Sequence, residues 1–146
     1  MILALAGPAA VVSAQPMPAW RTAPLTAGSW SYRETATGSE AIFTDARVTR
    51  RLLVKCSRLT RRVSLSVASA SPGSAIQIAT SETDRTLPAT FDTQGFQIIA
   101  ELGAMDPVLD AIVFSRGRFA ITVAGGAALV VPAWPEIARS IEDCRV

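Results

Sequence analysis

Alternation of apolar and polar residues with a period of two is the feature that most narrows the folds open to this chain. It is clearest in RRVSLSVAS, where Val63, Leu65 and Val67 fall on one face and Ser64 and Ser66 on the other. A half-buried β-strand has this period, because its successive side chains point to opposite faces. Further strands are predicted in SWSYR, EAIFTDA, RLLVKCS, SAIQIAT, FQIIAEL and RFAITVAGGAALVVP, the last being two strands around Gly125-Gly126. RTLPATF predicts an edge strand, since Pro88 cannot donate to a central ladder.

Two segments change to a helical period. In the first, Asp106 and Pro107 form an N-cap and first-turn pair, and a short helix follows with apolar residues at Val108, Leu109, Ile112 and Val113. The second is C-terminal. It begins at Pro135, has Glu136 in its first turn, and presents one stripe made of Ile137, Ile141 and Cys144.

The two cysteines both fall on faces that are predicted to be buried. Cys56 shares a strand face with Leu52 and Val54, and Cys144 continues the apolar stripe of the C-terminal helix. Their separation of 88 residues excludes a CxxC redox or zinc motif. We therefore predict a disulfide between Cys56 and Cys144, although two unrelated buried thiols remain the alternative.

These elements together predict a mainly β fold. About eight short strands form an antiparallel β-sandwich, with a short internal helix and a C-terminal helix stapled to a strand by the disulfide. The length of 146 residues and the hydrophobic content of 49% fit one domain with a substantial core. We place this single domain at residues 29–146, and we interpret Trp20, Trp30 and Trp134 as lids over its core.

The N-terminal residues read as an export signal. Residues 1–14, MILALAGPAAVVSA, are uncharged and end in small residues, which predicts a signal peptide cleaved after Ala14 and a periplasmic or secreted protein. A flexible Pro-rich lead is predicted for residues 15–28. Because no Lys or Arg follows Met1, we expect the natural start to lie upstream. A buried strand or a short membrane anchor is the alternative, but this apolar run is too short to span a bilayer, so the processed chain is not expected to be transmembrane.

Composition removes several functional classes. Without any histidine there is no Ser-His-Asp or Cys-His pair and no His-ligated zinc. A net charge of +2 does not favour a nucleic-acid partner. Asp106 and Asp110, four residues apart, are conceivable as a catalytic carboxylate pair, but a helix cap and a solvated position explain them better. We therefore expect no enzyme, no cofactor and no metal site.

Basic residues are the best candidates for a binding surface. Seven of the 14 basic residues fall within residues 47–62. If those of the predicted hairpin emerge on one side, they form a surface for an anionic partner, made of Arg51, Lys55, Arg58, Arg61 and Arg62. The alternative is that they are solvated strand edges that block aggregation. Arg116 and Arg118, in SRGR, form a second and smaller candidate.

The order of several segments carries a resemblance. Trp30 is followed by LLVKCS, DPVLDAI, SRGRFAI and a final helix ending in Asp143-Cys144-Arg145. This order resembles small uncharacterised exported proteins of alphaproteobacteria. More distantly it is similar to the VasI-type periplasmic accessory proteins of type VI secretion and to the invasion-associated locus B family, whose cysteines lie nearer the mature N-terminus. The resemblance implies an exported β-sandwich with a binding or accessory role.

Taken together, these observations favour a noncatalytic periplasmic binding or accessory protein of the cell envelope, linked to secretion. Its partner would be an envelope protein or an anionic envelope component. Two alternatives stay open. One is a cell-envelope hydrolase that uses carboxylates only, and the other is a structural subunit with a large exposed apolar patch.

Overall fold

The protein is described here by a computed structural model, which covers residues 20–124 and 126–146. The strands are β1 (Gly28–Thr35), β2 (Gly38–Asp45), β3 (Arg50–Ser57), β4 (Arg62–Ala68), β5 (Ala75–Ala79), β6 (Asp84–Pro88), β7 (Thr90–Asp92), β8 (Gln97–Gly103), β9 (Arg118–Val123) and β10 (Leu129–Pro132). The helices are α1 (Pro107–Val113) and α2 (Pro135–Asp143). The signal peptide predicted for residues 1–14 lies outside the described residues. Within the described ranges, no helix is long and apolar enough to cross a membrane.

The strands form two antiparallel sheets, which confirms the predicted sandwich class. Sheet A has six strands in the order β1-β2-β3-β4-β8-β7, and sheet B has four in the order β10-β9-β5-β6. The predicted strand RTLPATF is divided between them. Its first half, β6, is an edge of sheet B and its second half, β7, is an edge of sheet A. The Ala89 N–H donates to the Ser74 carbonyl in register with the β5–β6 pairs, and the chain changes to sheet A immediately afterwards, at Thr90.

The inner faces of the two sheets supply the core. Sheet A contributes fully buried Phe43, Leu52 and Leu65, and sheet B contributes Phe119 and Ile121 among others. Burial of such apolar surface is the main favourable term in folding.

Trp30 connects the two sheets directly. Its ring meets Phe43 edge to face at a centroid distance of 5.5 Å. Its indole Nε1–H donates to the Pro132 carbonyl on β10 at 2.8 Å. The polar atom of this buried ring is therefore satisfied, and β1 is tied to the last strand of the opposite sheet.

Helix α2 closes one end of the sandwich, and the predicted disulfide is confirmed there. Cys56 on β3 and Cys144, which caps α2, are bonded with a Cα–Cα distance of 5.6 Å. Ile137 and Ile141, on the inward face of α2, are fully buried. Ser140 Oγ donates to the Val54 carbonyl and shares a hydrogen bond with Ser39 Oγ, so the helix contacts sheet A through both apolar and polar groups.

Helix α1 begins as the sequence predicts. The Asp106 carboxylate accepts from the Val108 N–H at 2.9 Å, and Pro107 occupies the first turn. Arg85 on β6 forms an ion pair with the same carboxylate at 2.5 Å. Partial burial by itself raises the pKa of Asp106, but hydrogen bonds from Arg85 and the Val108 N–H outweigh it and hold the pKa below its ordinary value of 3.8.

Replacing Asp106 by alanine is expected to lower the free energy of unfolding by about 1 kcal/mol, because the cap is lost. Asp106→Asn retains a capping oxygen, so it is expected to cost less than half as much. Since the folded pKa is lowered, the charge of Asp106 stabilises the protein above about pH 4, and this contribution is lost as the pH falls through the folded pKa. Urea unfolding of the three proteins at pH 7 and pH 3 measures both effects; equal losses for the two variants would contradict the capping role.

The residues preceding β1 pack on the outer face of sheet B. Trp20 is 4% exposed and contacts Ala79, Ala120 and Val130. Arg118 Nη1 donates to the Ala23 carbonyl at 2.5 Å, and further along the Thr26 N–H donates to the Val130 carbonyl. Part of the predicted Pro-rich lead, residues 20–27, therefore makes defined contacts with sheet B, where an aromatic side chain covers small residues. Residues 15–19 of that lead lie outside the described residues.

Candidate functional site

The basic residues predicted to form one surface on β3 and β4 are dispersed. Arg51 lies at the start of β3, Lys55 is exposed on the outer face of sheet A, and the others lie in or beside the β3–β4 turn. Three of the five face carboxylates from other parts of the chain: Arg51 with Asp45 at 3.3 Å, Arg58 with Asp143 at 3.6 Å, and Arg62 with Glu101 at 3.8 Å. Their charges are thus compensated locally.

Lys55 and Arg61 form no ion pair with another described residue. They occupy different parts of the β3–β4 hairpin. Lys55 projects from the middle of β3, opposite Glu40 on one side and Ser64 on the other. Arg61 lies in the turn with a left-handed backbone, φ 51°. Because β3 and β4 are interior strands of sheet A, these charges do not protect a sheet edge, and they are distributed between the two strands and their turn.

Arg116 and Arg118, in contrast, line one cleft. The cleft has a volume of about 230 Å³, and its other lining residues are Trp20, Arg21 and Ser81. We call it the basic cleft. Three guanidinium groups contribute to its lining and no carboxylate does. Among the described residues, none of the three forms an ion pair. Positive charge is therefore concentrated here without local compensation.

Reciprocal hydrogen bonds fix the loop that carries Arg116. The Arg116 N–H donates to Ser81 Oγ at 3.0 Å, and the Ser81 N–H donates to Ser115 Oγ at 3.1 Å. Ser115 Oγ in turn donates to the Arg118 carbonyl at 2.5 Å. Gly117 permits the intervening turn with φ 77°, a conformation that L side chains rarely adopt. Arg116 thus projects from a backbone that is held on both sides.

The N-terminal side of the basic cleft is formed by Trp20 and Arg21. The Arg21 guanidinium lies 4.8 Å from the centroid of the Trp20 ring, which is a cation–π geometry. Because Trp20 packs on sheet B, its ring restricts the conformations that the Arg21 side chain can adopt beside it. The sequence points to Arg116 and Arg118, but Arg21 is not a candidate there. Trp20, interpreted from the sequence as a lid over the core, packs instead on the outer face of sheet B against Ala79, Ala120 and Val130.

Forked guanidinium groups bind carboxylates and phosphates through paired, charge-assisted hydrogen bonds. Arg118 is partly occupied by the Ala23 carbonyl, so it supports the wall of the cleft as well as its charge. Arg116 is exposed, and its side chain is free to turn towards a ligand. The basic cleft therefore has the chemistry to hold one small anionic group at its opening.

The carboxylates considered for catalysis have other partners. Asp106 caps α1 and pairs with Arg85, as described above, and Asp110 pairs with Arg145 at 2.8 Å. In the part of the chain that the structure describes, no group of three or more His, Cys, Asp or Glu residues is placed to hold a metal ion. The basic cleft thus differs from the other candidates in that its charged residues have no carboxylate beside them in the lining.

The chemistry of the basic cleft has to be interpreted from its own residues. Comparison of the chain with protein-family models, with curated proteins and with solved structures finds no match.

Proposed function

We propose that this protein is a noncatalytic binding or accessory module of the cell envelope, and that the basic cleft holds an anionic group of its partner. The observation that carries this proposal is the meeting of Arg21, Arg116 and Arg118 around one opening that no carboxylate lines. A phosphate or carboxylate supplied by a partner provides the missing counter-charge. The partner is an envelope protein or an anionic envelope component, in keeping with the accessory role implied by the resemblance to VasI-type proteins.

The order of the cleft before binding supports this role. The Arg116 loop is cross-linked through Ser81 and Ser115, and Arg21 rests on a seated aromatic ring. Side chains and loops that are already ordered lose less entropy when a ligand binds. A hydrogen bond to a charged group contributes roughly 1.5–3 kcal/mol, so even a single phosphate or carboxylate gains measurable affinity here.

The export of the protein is part of the same proposal. Disulfides form and persist in oxidising compartments, and the Cys56–Cys144 bond fits such a location. Together with the signal peptide predicted for residues 1–14, it supports a periplasmic or secreted protein.

The test is a titration of the purified, oxidised chain with inorganic phosphate and with citrate, followed through the arginine Nε–Hε signals in NMR spectra. We expect saturable shifts at Arg116 and Arg118 that weaken as salt is raised. Arg116→Gln is expected to reduce the affinity about tenfold, which corresponds to the loss of about 1.4 kcal/mol. Arg118→Lys keeps the positive charge but removes the planar guanidinium fork. Comparing its phosphate affinity with that of the original protein therefore distinguishes the effect of charge from the effect of fork geometry.

Lys55→Gln is the matched control, because it removes one positive charge from the outer face of sheet A without touching the basic cleft. Its phosphate affinity is expected to stay within about twofold of the original, as screened charges at a distance contribute little. If Lys55→Gln and Arg116→Gln weaken binding equally, the ligand is responding to net charge alone and the proposed site is wrong.

A further inference from the structure

A second cleft opens between the two sheets, at the end of the sandwich away from α2. Its volume is about 310 Å³. Val67 of β4 forms one wall, Val123 of β9 and Leu129 of β10 form the other, and Arg51 of β3 contributes a charged group. We call it the inter-sheet cleft. The volume lies at the lower end of the range found for small-molecule sites, about 300–1,000 Å³.

Small side chains keep this end of the sandwich open. The segment after β4 contributes Ala68, Ser69 and Ala70 to the cleft, and the β9–β10 connection contributes Ala124 and Ala127. At the opposite end, α2 covers the inner face of sheet A around Ser39 and Cys56. The inner-face residues at the open end therefore have beside them a space, lined by both apolar and polar groups, that the described chain does not fill.

Arg51 supplies the polar part of this cleft. Its Nη1 contacts the Asp45 carboxylate at 3.3 Å, and 40% of its side chain is exposed. The Asp45 carboxylate also accepts the backbone N–H groups of Arg47 and Thr49, which fixes its position. A guanidinium has five N–H donors in a planar fork, so Asp45 orients Arg51 without using its full capacity.

The surrounding charge favours an anion. Arg50 lies beside Arg51 and lines a smaller adjoining groove with it, and Arg47 is exposed in the β2–β3 turn. Against these three cations, Asp45 is the carboxylate in direct contact. A cleft with apolar walls, and with a partly compensated arginine and serine groups at its rim, matches a molecule that has an apolar tail and a single negative head.

We propose that the inter-sheet cleft binds a small amphiphilic carboxylate, with its tail between the sheets against Val67, Val123 and Leu129 and its carboxylate on Arg51. This site is separate from the basic cleft, and the proposal does not depend on the function proposed above. Because burial of a methylene group is worth about fourfold in affinity, the affinity is expected to rise steeply with chain length until the slot is full.

The experiment titrates the purified, oxidised chain with acetate, hexanoate, octanoate and decanoate below their micelle concentrations, with octylamine as the cationic counterpart. Backbone amide shifts in NMR spectra locate the ligand. We expect saturable shifts around Val67, Val123 and Leu129, affinity that increases from hexanoate to octanoate by about an order of magnitude, and weaker binding of octylamine. Absence of a chain-length dependence would overturn the proposal.

Three variants separate the cleft from its surroundings. Arg51→Gln is expected to weaken octanoate binding about tenfold, whereas the matched variant Arg50→Gln, next to it but outside the cleft lining, changes it less than twofold. Ala127→Trp fills the opening from an exposed position and is expected to abolish binding without unfolding the protein. Equal effects of Arg50→Gln and Arg51→Gln, or unchanged binding in Ala127→Trp, would show that octanoate binds elsewhere.

Discussion

Replacing Cys56 and Cys144 together by alanine is expected to lower the free energy of unfolding by about 4 to 5 kcal/mol. The bond closes a loop of 88 residues, and closing a loop of this length restricts the unfolded chain by an amount comparable with the stability of a whole domain. Both cysteines are fully buried, so their replacement also removes packed atoms from the contact between β3 and α2. Urea unfolding followed by tryptophan fluorescence measures the change.

Unfolding of the original protein in a reductant is the control for this prediction. It breaks the same bond without removing any atom, so the difference between reduced protein and double variant isolates the packing contribution. If reduction lowers the free energy of unfolding by less than 1 kcal/mol, the disulfide is not a principal stabiliser. The contacts of Ser140 and the hydrogen bond from Tyr32 to Asp143 then hold α2 without it.

Phe43→Ala is expected to lower the free energy of unfolding by about 3 to 5 kcal/mol, the range for a buried phenylalanine. Phe43 is completely buried on β2, and the edge of the Trp30 ring rests against it. Truncation opens a cavity in the centre of the core and removes the aromatic contact. The emission of Trp30 is expected to change in the folded state as well, which gives a second readout beside the urea midpoint.

Phe96→Ala is the matched control, because it deletes the same atoms from an exposed turn. Phe96 is 62% exposed and has a left-handed backbone, φ 49°. Its replacement is expected to change the stability by no more than about 0.5 kcal/mol. Losses of similar size for Phe43→Ala and Phe96→Ala would mean that Phe43 is not in the centre of the core.

Most of the secondary structure could be predicted, because local alternation and capping agree with the final packing. The face of Val63, Leu65 and Val67 is the buried face of β4, and Asp106 caps α1. Local patterns do not predict which strand belongs to which sheet. RTLPATF pairs with β5 as far as Ala89 and with β8 from Thr90 onwards, and its alternation does not indicate this change of partner.

The candidate site could be predicted only in part, because some of its residues lie far apart in the sequence. Arg116 and Arg118 are neighbours in sequence and stay neighbours in the basic cleft. Trp20 joins them from about a hundred residues away. The sequence likewise does not predict that Arg58 and Arg62 have carboxylate partners, because Asp143 and Glu101 come from distant segments. Charge clusters in a sequence are informative only once their non-local partners are known.

Strands β1 to β3 are joined to β10 and α2, which lie far along the chain, and these contacts affect when the protein can complete its fold. Trp30 is hydrogen-bonded to Pro132, Ser39 is hydrogen-bonded to Ser140, and Cys56 is joined to Cys144 by the disulfide. When the chain is synthesised amino end first, β1 to β3 therefore lack these partners until β10 and α2 have been made. Contacts of such long sequence separation form late and slowly. The fold is therefore completed only when β10 and α2 are in place, and it becomes covalently closed only when the Cys56 and Cys144 thiols are oxidised.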